Sequence, residues 1–223
     1  MTTWAITELG PGDWQAVADA GHLTDAILGR GAFTVEQVLE DLRNGNLLFL
    51  TANAGKPPVL VGVATARVLD DDGYREFIAP MPPGTLPAAL PSASGRRIGR
   101  LHTSAVTAAM RGRGLGSALA AHRTEWLRER CSEAYAISWL HNRQGRSEGL
   151  LRALGWQPVT ILHDYWLQVT TTGDQSCPQC GCLCHCPGLL LRLPIPELGH
   201  PPGQLAKWSE WSEWSERISY LPV

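Results

Sequence analysis

The stretch Arg111-Gly112-Arg113-Gly114-Leu115-Gly116 joins an apolar, strand-like run at 98–106 to a long helical pattern at 114–130. A strand that enters a glycine-rich bend and continues as a helix leaves the first-turn N–H groups without intrahelical partners. Together with the helix dipole, those amides make an anion site. Glycines let a bulky polyphosphate approach the backbone, and Arg111 and Arg113 add positive charge beside it. Two other nucleotide sites are excluded by spacing. The chain has no GxxxxGK[ST]. A dinucleotide fold places its glycines after the first strand, with an acidic residue about 20 positions on. Here the bend lies mid-chain, and residues 131–140 offer Glu133 alone.

The surrounding pattern predicts a mixed α/β chain. Strands are expected at 4–8, 47–54, 59–69, 98–106 and 134–140, with one or two more within 156–169. Helices are expected after Pro11-Gly12-Asp13, with Trp14, Val17 and Ala18 inward, and after Thr34, a side chain that can N-cap. The 114–130 helix carries Leu115, Ala118, Leu119, His122 and Trp126 on one face. A short helix at 147–154 stops at Gly155, which suits a C-terminal cap. Residues 73–96 run through Pro80, Pro82, Pro83, Pro87 and Pro91 and read as a long functional loop with little regular structure.

A 223-residue chain with 44% hydrophobic residues can build one good-sized core and a small annex. Its net charge of -2 argues against a general nucleic-acid or membrane-surface binder. Residues 1–10 lack the basic and apolar regions of a signal peptide, and the late apolar run at 188–193 is too short to span a bilayer. The expectation is a soluble, cytoplasmic protein without nucleic-acid or membrane partners.

The block LHTSAVTAAMRGRGLGSALAAHRTEWL resembles the acetyl-CoA signature of the GNAT N-acetyltransferase superfamily, Arg/Gln-x-x-Gly-x-Gly/Ala between an apolar strand and a long helix. Arg111, Gly114 and Gly116 fill its fixed positions. A second block, NRQGRSEGLLRALGWQPV, is similar to the family's later helix ending in Leu-Gly-aromatic. The resemblance spans roughly residues 1–168 and implies the GNAT fold, a mixed central sheet flanked by helices. It implies that the pyrophosphate of acetyl-CoA sits on the amides of Gly112, Arg113, Gly114, Leu115, Gly116 and Ser117. The pantetheine arm would pair with backbone at Ala105 and Val106, where an N–H polarises the thioester carbonyl. The first two helices and the 73–96 loop would select the acceptor. A homodimer is compatible with the resemblance.

Transfer of an acetyl group to a primary amine, of a small molecule or a peptide, needs the neutral amine. With a pKa near 10.4, about one molecule in 2500 is neutral at pH 7, a handicap of roughly 4.6 kcal/mol. A base or a desolvating pocket must offset it. His102, on the strand entering the bend, is the first candidate; a histidine at the equivalent place in the arylalkylamine branch is thought to help move the proton. His141 is the second. The family often carries a tyrosine acid on the late helix, but Leu151 stands there, leaving Ser147 or water as substitutes. Asn142 and Gln144 are candidates to bind the pantetheine region. Direct attack in a ternary complex is the expected mechanism; the competing class is a non-catalytic module of the same shape that binds acyl-CoA or a protein.

Five of the six cysteines fall between Cys177 and Cys186, and Cys131 stands alone as an expected inert buried thiol. The run CPQCGCLCHC opens with Cys-Pro-x-Cys-Gly, a turn whose two thiolates can grip one zinc ion. Cys184 and Cys186 are favoured beside Cys177 and Cys180, with Cys182 and His185 as alternates. The run resembles a short cysteine-rich extension of some GNAT-like proteins, and a structural Zn2+ would order a segment too short to have its own core. The division expected is an acetyltransferase domain at 1–170, a metal-binding appendage at 171–190 and a flexible tail at 191–223. That tail contains WSEWSEWSE, a disordered segment or an aromatic docking strip.

Overall fold

The structure, a computed structural model, describes residues 3–140, 147–171, 176–177, 180–181 and 183–195. In chain order the elements are β1 (Trp4–Glu8), α1 (Trp14–Leu28), α2 (Val35–Arg43), β2 (Leu47–Ala54), β3 (Val59–Leu69), α3 (Asp71–Ile78), α4 (Pro91–Ser94), β4 (Ile98–Val106), α5 (Leu115–Arg130), β5 (Glu133–Trp139), α6 (Ser147–Ala153), β6 (Gln157–Leu162), α7 (Tyr165–Thr171) and β7 (Gly188–Pro194). The strands form one sheet in the order β1-β2-β3-β4-β5-β7-β6. All neighbours are antiparallel except β4 and β5, which run parallel through the α5 crossover.

The sheet is buried on both faces, so its central strands read as unbroken apolar runs rather than alternating ones. In β2, Leu48 and Leu50 face the α5 layer, while Leu47 and Phe49 face α1 and α2. Ala64 and Ala66 of β3 lie under Leu115, Leu119 and Leu127 of α5. Small residues bring α5 close. A Cβ on Gly99 of β4 would sit 2.5 Å from Leu127 Cδ2 and 2.9 Å from Cys131 Sγ. Cys131 is buried at the end of α5, and burial pushes its thiol up to about 12, an inert group. The Thr34 hydroxyl caps α2 by accepting from the Gln37 N–H at 3.3 Å.

Several elements differ from the sequence expectation. Residues 71–78 form α3 rather than open loop: the Asp70 carboxylate caps it by accepting from the Gly73 N–H at 2.7 Å, and Tyr74 and Phe77 bury against Tyr135 and Leu190. Trp14 is 60% exposed, and α1 instead buries Val17, Ala20 and Thr24. The region after Leu162 turns into α7 rather than a second strand. The largest correction concerns the domain boundaries. Residues 188–194 are neither appendage nor tail but β7, seated between β5 and β6, with Leu189, Leu191 and Leu193 in the main core. The cysteine segment is therefore the connection from α7 into an interior strand. WSEWSEWSE lies outside the described residues. No helix among the described residues is long and apolar enough to cross a membrane.

Candidate active site

Strands β4 and β5 part company halfway along. Ile98–Leu101 pair with Glu133–Ala136, and among the described residues the pairing stops there. The cause lies on the other edge of β4. Its register to β3 shifts between Ala64 and Ala66, so His102 and Thr103 together oppose Thr65, a β-bulge that bends the strand. Arg123, on α5 and 4% exposed, fills the space beneath. Its guanidinium donates to Thr103 O at 2.8 Å, Thr65 O at 3.2 Å and Leu119 O at 3.2 Å. Burial lowers its pKa to about 10, so it remains a cation at pH 7.

The bulge decides which amides reach the open edge. Thr103 donates its N–H to Thr65 Oγ1 at 3.0 Å, and Thr107 donates to Val61 O at 2.9 Å. By strand alternation Ala105 also turns its main chain toward β3, opposite Val63, while Ser104 and Val106 turn theirs to the open edge. Val106 thus turns its amide to the open edge, whereas Ala105 turns its own toward β3 and Ser104 shares the open edge, because the extra bulge residue fixes the alternation in a way no local pattern reveals.

Beyond Val106 the chain makes a short 3-10 turn, Ala108–Met110, and enters the bend. Gly112 and Gly114 hold φ of +71° and +80°, the left-handed region that other residues resist. Gly114 is the N-cap of α5 and supplies no side-chain cap. The amides of Leu115, Gly116 and Ser117 therefore face outward at the head of a sixteen-residue helix. A Cβ on Gly116 would meet nothing within 4 Å, so open space lies above that turn. Arg111 and Arg113 are exposed beside it, and Leu115 anchors the turn by burying over Gly62.

On the opposite side of the parted strands lies a cleft of about 380 Å³, lined by the α1–α2 connection, α3, β4 and α7. His102 opens into it. Crowding by protein, reinforced by the guanidiniums of Arg100, Arg67 and Arg123, lowers its pKa to about 3, so the imidazole is neutral at pH 7. Arg67 is paired with Asp41 at 2.9 Å. Arg100 stacks over Phe77, 4.8 Å from the ring centroid, and has no carboxylate partner among the described residues. Glu76 of α3 also lines the cleft. It was missed in the sequence because α3 was read as loop; the Asp70-Asp71-Asp72 start, a good N-cap and acidic first turn, was the available signal. Trp139, Tyr165 and Trp166 form an aromatic wall, with ring centroids 5.4 and 4.8 Å apart. The buried Trp166 Nε1–H has no hydrogen-bond partner among the described residues.

Of the other expected residues, Ser147 stands at the head of α6 and hydrogen-bonds Ser138 of β5, away from the cleft lining. Leu151 is buried in the main core, so the usual acid position is apolar packing. His141, Asn142 and Gln144 lie outside the described residues.

Four sulfurs gather at the far end of the cleft. The Sγ atoms of Cys177, Cys180, Cys184 and Cys186 all lie within 4.8 Å of one another. None of the four is in a disulfide, and Cys180 and Cys186 are 3.5 Å apart. A tetrahedral ZnS4 centre with Zn–S bonds of about 2.3 Å separates its sulfurs by about 3.8 Å, so the cluster fits that ion. Hydrogen bonds among the crowded thiols raise the pKa of Cys180 to about 11, and burial raises that of Cys184 further, the penalty that a bound dication removes. His185 is instead paired with Asp164 at 2.7 Å, and Cys182 lies outside the described residues.

A family profile described as Acetyltransferase (GNAT) family matches residues 24–156. A sequence comparison with curated proteins finds no match. Among solved structures, the fold is similar to the NatC complex bound to Gag peptide and CoA (16% identity, 86% of this chain and 98% of that chain, TM-score 0.58). It is similar to Arabidopsis thaliana NAA60 in complex with acetyl-CoA (17%, 85% and 97%, TM-score 0.57). It is also similar to yncA, a putative acetyltransferase from Salmonella typhimurium with acetyl-CoA (16%, 91% and 99%, TM-score 0.55).

Proposed function

Since the chain belongs to the GNAT acetyltransferase family, we propose that it transfers the acetyl group of acetyl-CoA to a primary amine of a small molecule or peptide. The observation that carries this reading is the unpaired edge of β4 ending at the glycine head of α5. The pyrophosphate rests on the amides of Leu115, Gly116 and Ser117, with Arg111 and Arg113 beside it. The pantetheine arm lies along Ser104 and Val106 as an added strand, and one of their N–H groups polarises the thioester carbonyl.

The acceptor enters from the aromatic side. Its nitrogen attacks the carbonyl carbon, a C–N bond forms, the C–S bond breaks and CoA leaves as thiolate. A thiol has a pKa near 8.5, so the leaving group does not require the acid that Leu151 replaces. The neutral His102 ring is an acceptor for the amine N–H and orients the lone pair. A conjugate acid near pKa 3 makes it a poor proton store, so desolvation by the Trp139–Trp166 wall and a relay to Glu76 carry more of the deprotonation. Arg100 offers a cation to a carboxylate on the acceptor, and Trp166 Nε1 offers a neutral donor. Cys177, Cys180, Cys184 and Cys186 would hold a structural Zn2+, which supplies folding energy rather than reaction chemistry; a reducing compartment such as the cytoplasm keeps them available.

A second reading, an acyl-CoA-binding module without transfer, is favoured by one observation: the burial of Leu151 at the acid position. Free-thiol release from acetyl-CoA, measured across a panel of amines, separates the two. Acceleration by at least one amine supports transfer; tight acetyl-CoA binding with no acceleration by any amine supports the module.

A further inference from the structure

The residue just before the thiol cluster is bound to the acceptor side of the cleft. Ser176 donates its N–H to Arg30 O at 3.2 Å and accepts the Arg30 N–H on its hydroxyl at 3.0 Å, a two-way link across 146 residues of chain. Gly29 makes the link possible. Its φ is +87°, and a Cβ there would lie 1.9 Å from Ser176 O, so the two backbones are in direct contact. On the other side, Cys177 exchanges both main-chain hydrogen bonds with Gly181, at 2.7 and 2.8 Å. Cys184 donates its N–H to Thr170 Oγ1 of α7 at 3.0 Å. Gly29, Arg30, Gly31, Thr170, Ser176 and Cys177 all line the cleft.

The connection that Ser176 grips is anchored at its far end by Phe33, edge-on to Phe49, while its Gly29–Gly31 stretch has little to order itself with. Gly29 and Gly31 both hold positive φ, so this stretch loses much backbone entropy when fixed. Of the described residues in the cysteine segment, Cys177 and Cys184 are buried while Cys180, Gly181 and Leu183 are exposed. The two segments brace each other, and four sulfurs within 4.8 Å supply the means of fixing the brace.

We propose that the four-cysteine site is a zinc clamp for the acceptor end of the cleft: the ion closes the 177–186 turn, the turn fixes Ser176, and Ser176 holds residues 29–33 as the cleft wall. This rests on the reading of the cluster as a zinc site and of the cleft as the acceptor site. The clamp is specific to the acceptor end: Gly29, Arg30, Ser176 and Cys177 line the cleft, and Ser104, Val106 and the α5 head do not.

The test uses the full chain with Zn2+ bound and after chelation. Native mass spectrometry reads the metal, and hydrogen exchange reads the backbone. With one zinc per chain, removal should speed exchange of the Arg30 amide by about tenfold or more, while residues 105–118 change by less than about twofold. A Ser176→Ala chain that retains zinc should show the same fast Arg30 amide with β2 and β3 still protected. That variant decides the matter even where chelation unfolds the chain. Zinc bound with Arg30 exchange unchanged in Ser176→Ala overturns the clamp and leaves the metal site standing. Absence of any zinc mass at micromolar Zn2+ overturns the metal site and the clamp with it.

Discussion

A single strand, β4, lives in two environments. From Ile98 to Leu101 it is paired on both edges, to β3 and to β5. That closed half is stitched at its base by Glu133, 5% exposed, which takes an ion pair from Arg96, another from Arg192 at 3.1 Å and the Tyr135 hydroxyl at 2.7 Å. From His102 to Val106 the strand is paired, among the described residues, on one edge only, and a buried cation, Arg123, stands where ladder regularity is lost. The closed half uses charge to join strands. The open half uses charge to hold two carbonyls while leaving the outer edge free for a ligand. The open edge is a sheet defect kept from healing.

Changes in the two halves should therefore separate stability from binding. The largest effect is expected in the closed half. Glu133→Ala removes the buried partner of two arginines and should cost about 3 kcal/mol, at the low end for a broken buried pair because Arg96 and Arg192 can reach water. Denaturant unfolding measures it, and acetyl-CoA affinity of the folded fraction should hold. Next comes Arg123→Met, which leaves Thr65 O and Thr103 O without their cationic donor. A loss of about 2 kcal/mol is expected, together with weaker acetyl-CoA binding in calorimetric titration, since the bulge sets the edge.

Gly116→Ala sharpens the comparison further because its two effects have opposite signs. Alanine suits a helix better by about 0.5–1 kcal/mol, and space for its Cβ is open. Thermal stability should rise while acetyl-CoA affinity falls about tenfold, roughly 1.4 kcal/mol, as the methyl group enters the phosphate's place. The smallest effect is a pH dependence, because His102 is exposed and water screens its neighbours. Its folded pKa is lowered from the 6.5 of the unfolded chain, so the unfolded chain binds the extra proton below that value. The stability this contributes is present above pH 6.5 and is lost as pH falls toward 3. His102→Gln should flatten that acid limb in unfolding measurements at successive pH values.

Much of the open half was legible in the sequence. Gly112 and Gly114 hold backbone that favours glycine, and the strand–bend–helix order leaves the amides of α5 exposed whatever the surrounding fold. A thiol cluster at 177–186 was legible from the Cys177-x2-Cys180 turn, while the choice of Cys184 and Cys186 over Cys182 and His185 was not fixed by spacing. Long-range pairing was not legible. The bulge that turns Ser104 outward and Ala105 inward exists only because Thr65 faces two residues of β4. Glu76 was hidden because prolines after residue 79 masked a well-capped helix before it. Residues 188–194 read as tail because an interior strand between β5 and β6 has no local signal beyond a short apolar run, which sequence alone cannot assign to a neighbour.

The central claim, that acetyl-CoA completes the open edge of β4, is tested most directly by hydrogen exchange with and without acetyl-CoA, read at single amides. Binding should slow the amides of Ser104, Val106, Leu115, Gly116 and Ser117, and leave Thr103 and Ala105, already turned to β3, unchanged. Binding that leaves Ser104 and Val106 unprotected, or no binding at all, would contradict it.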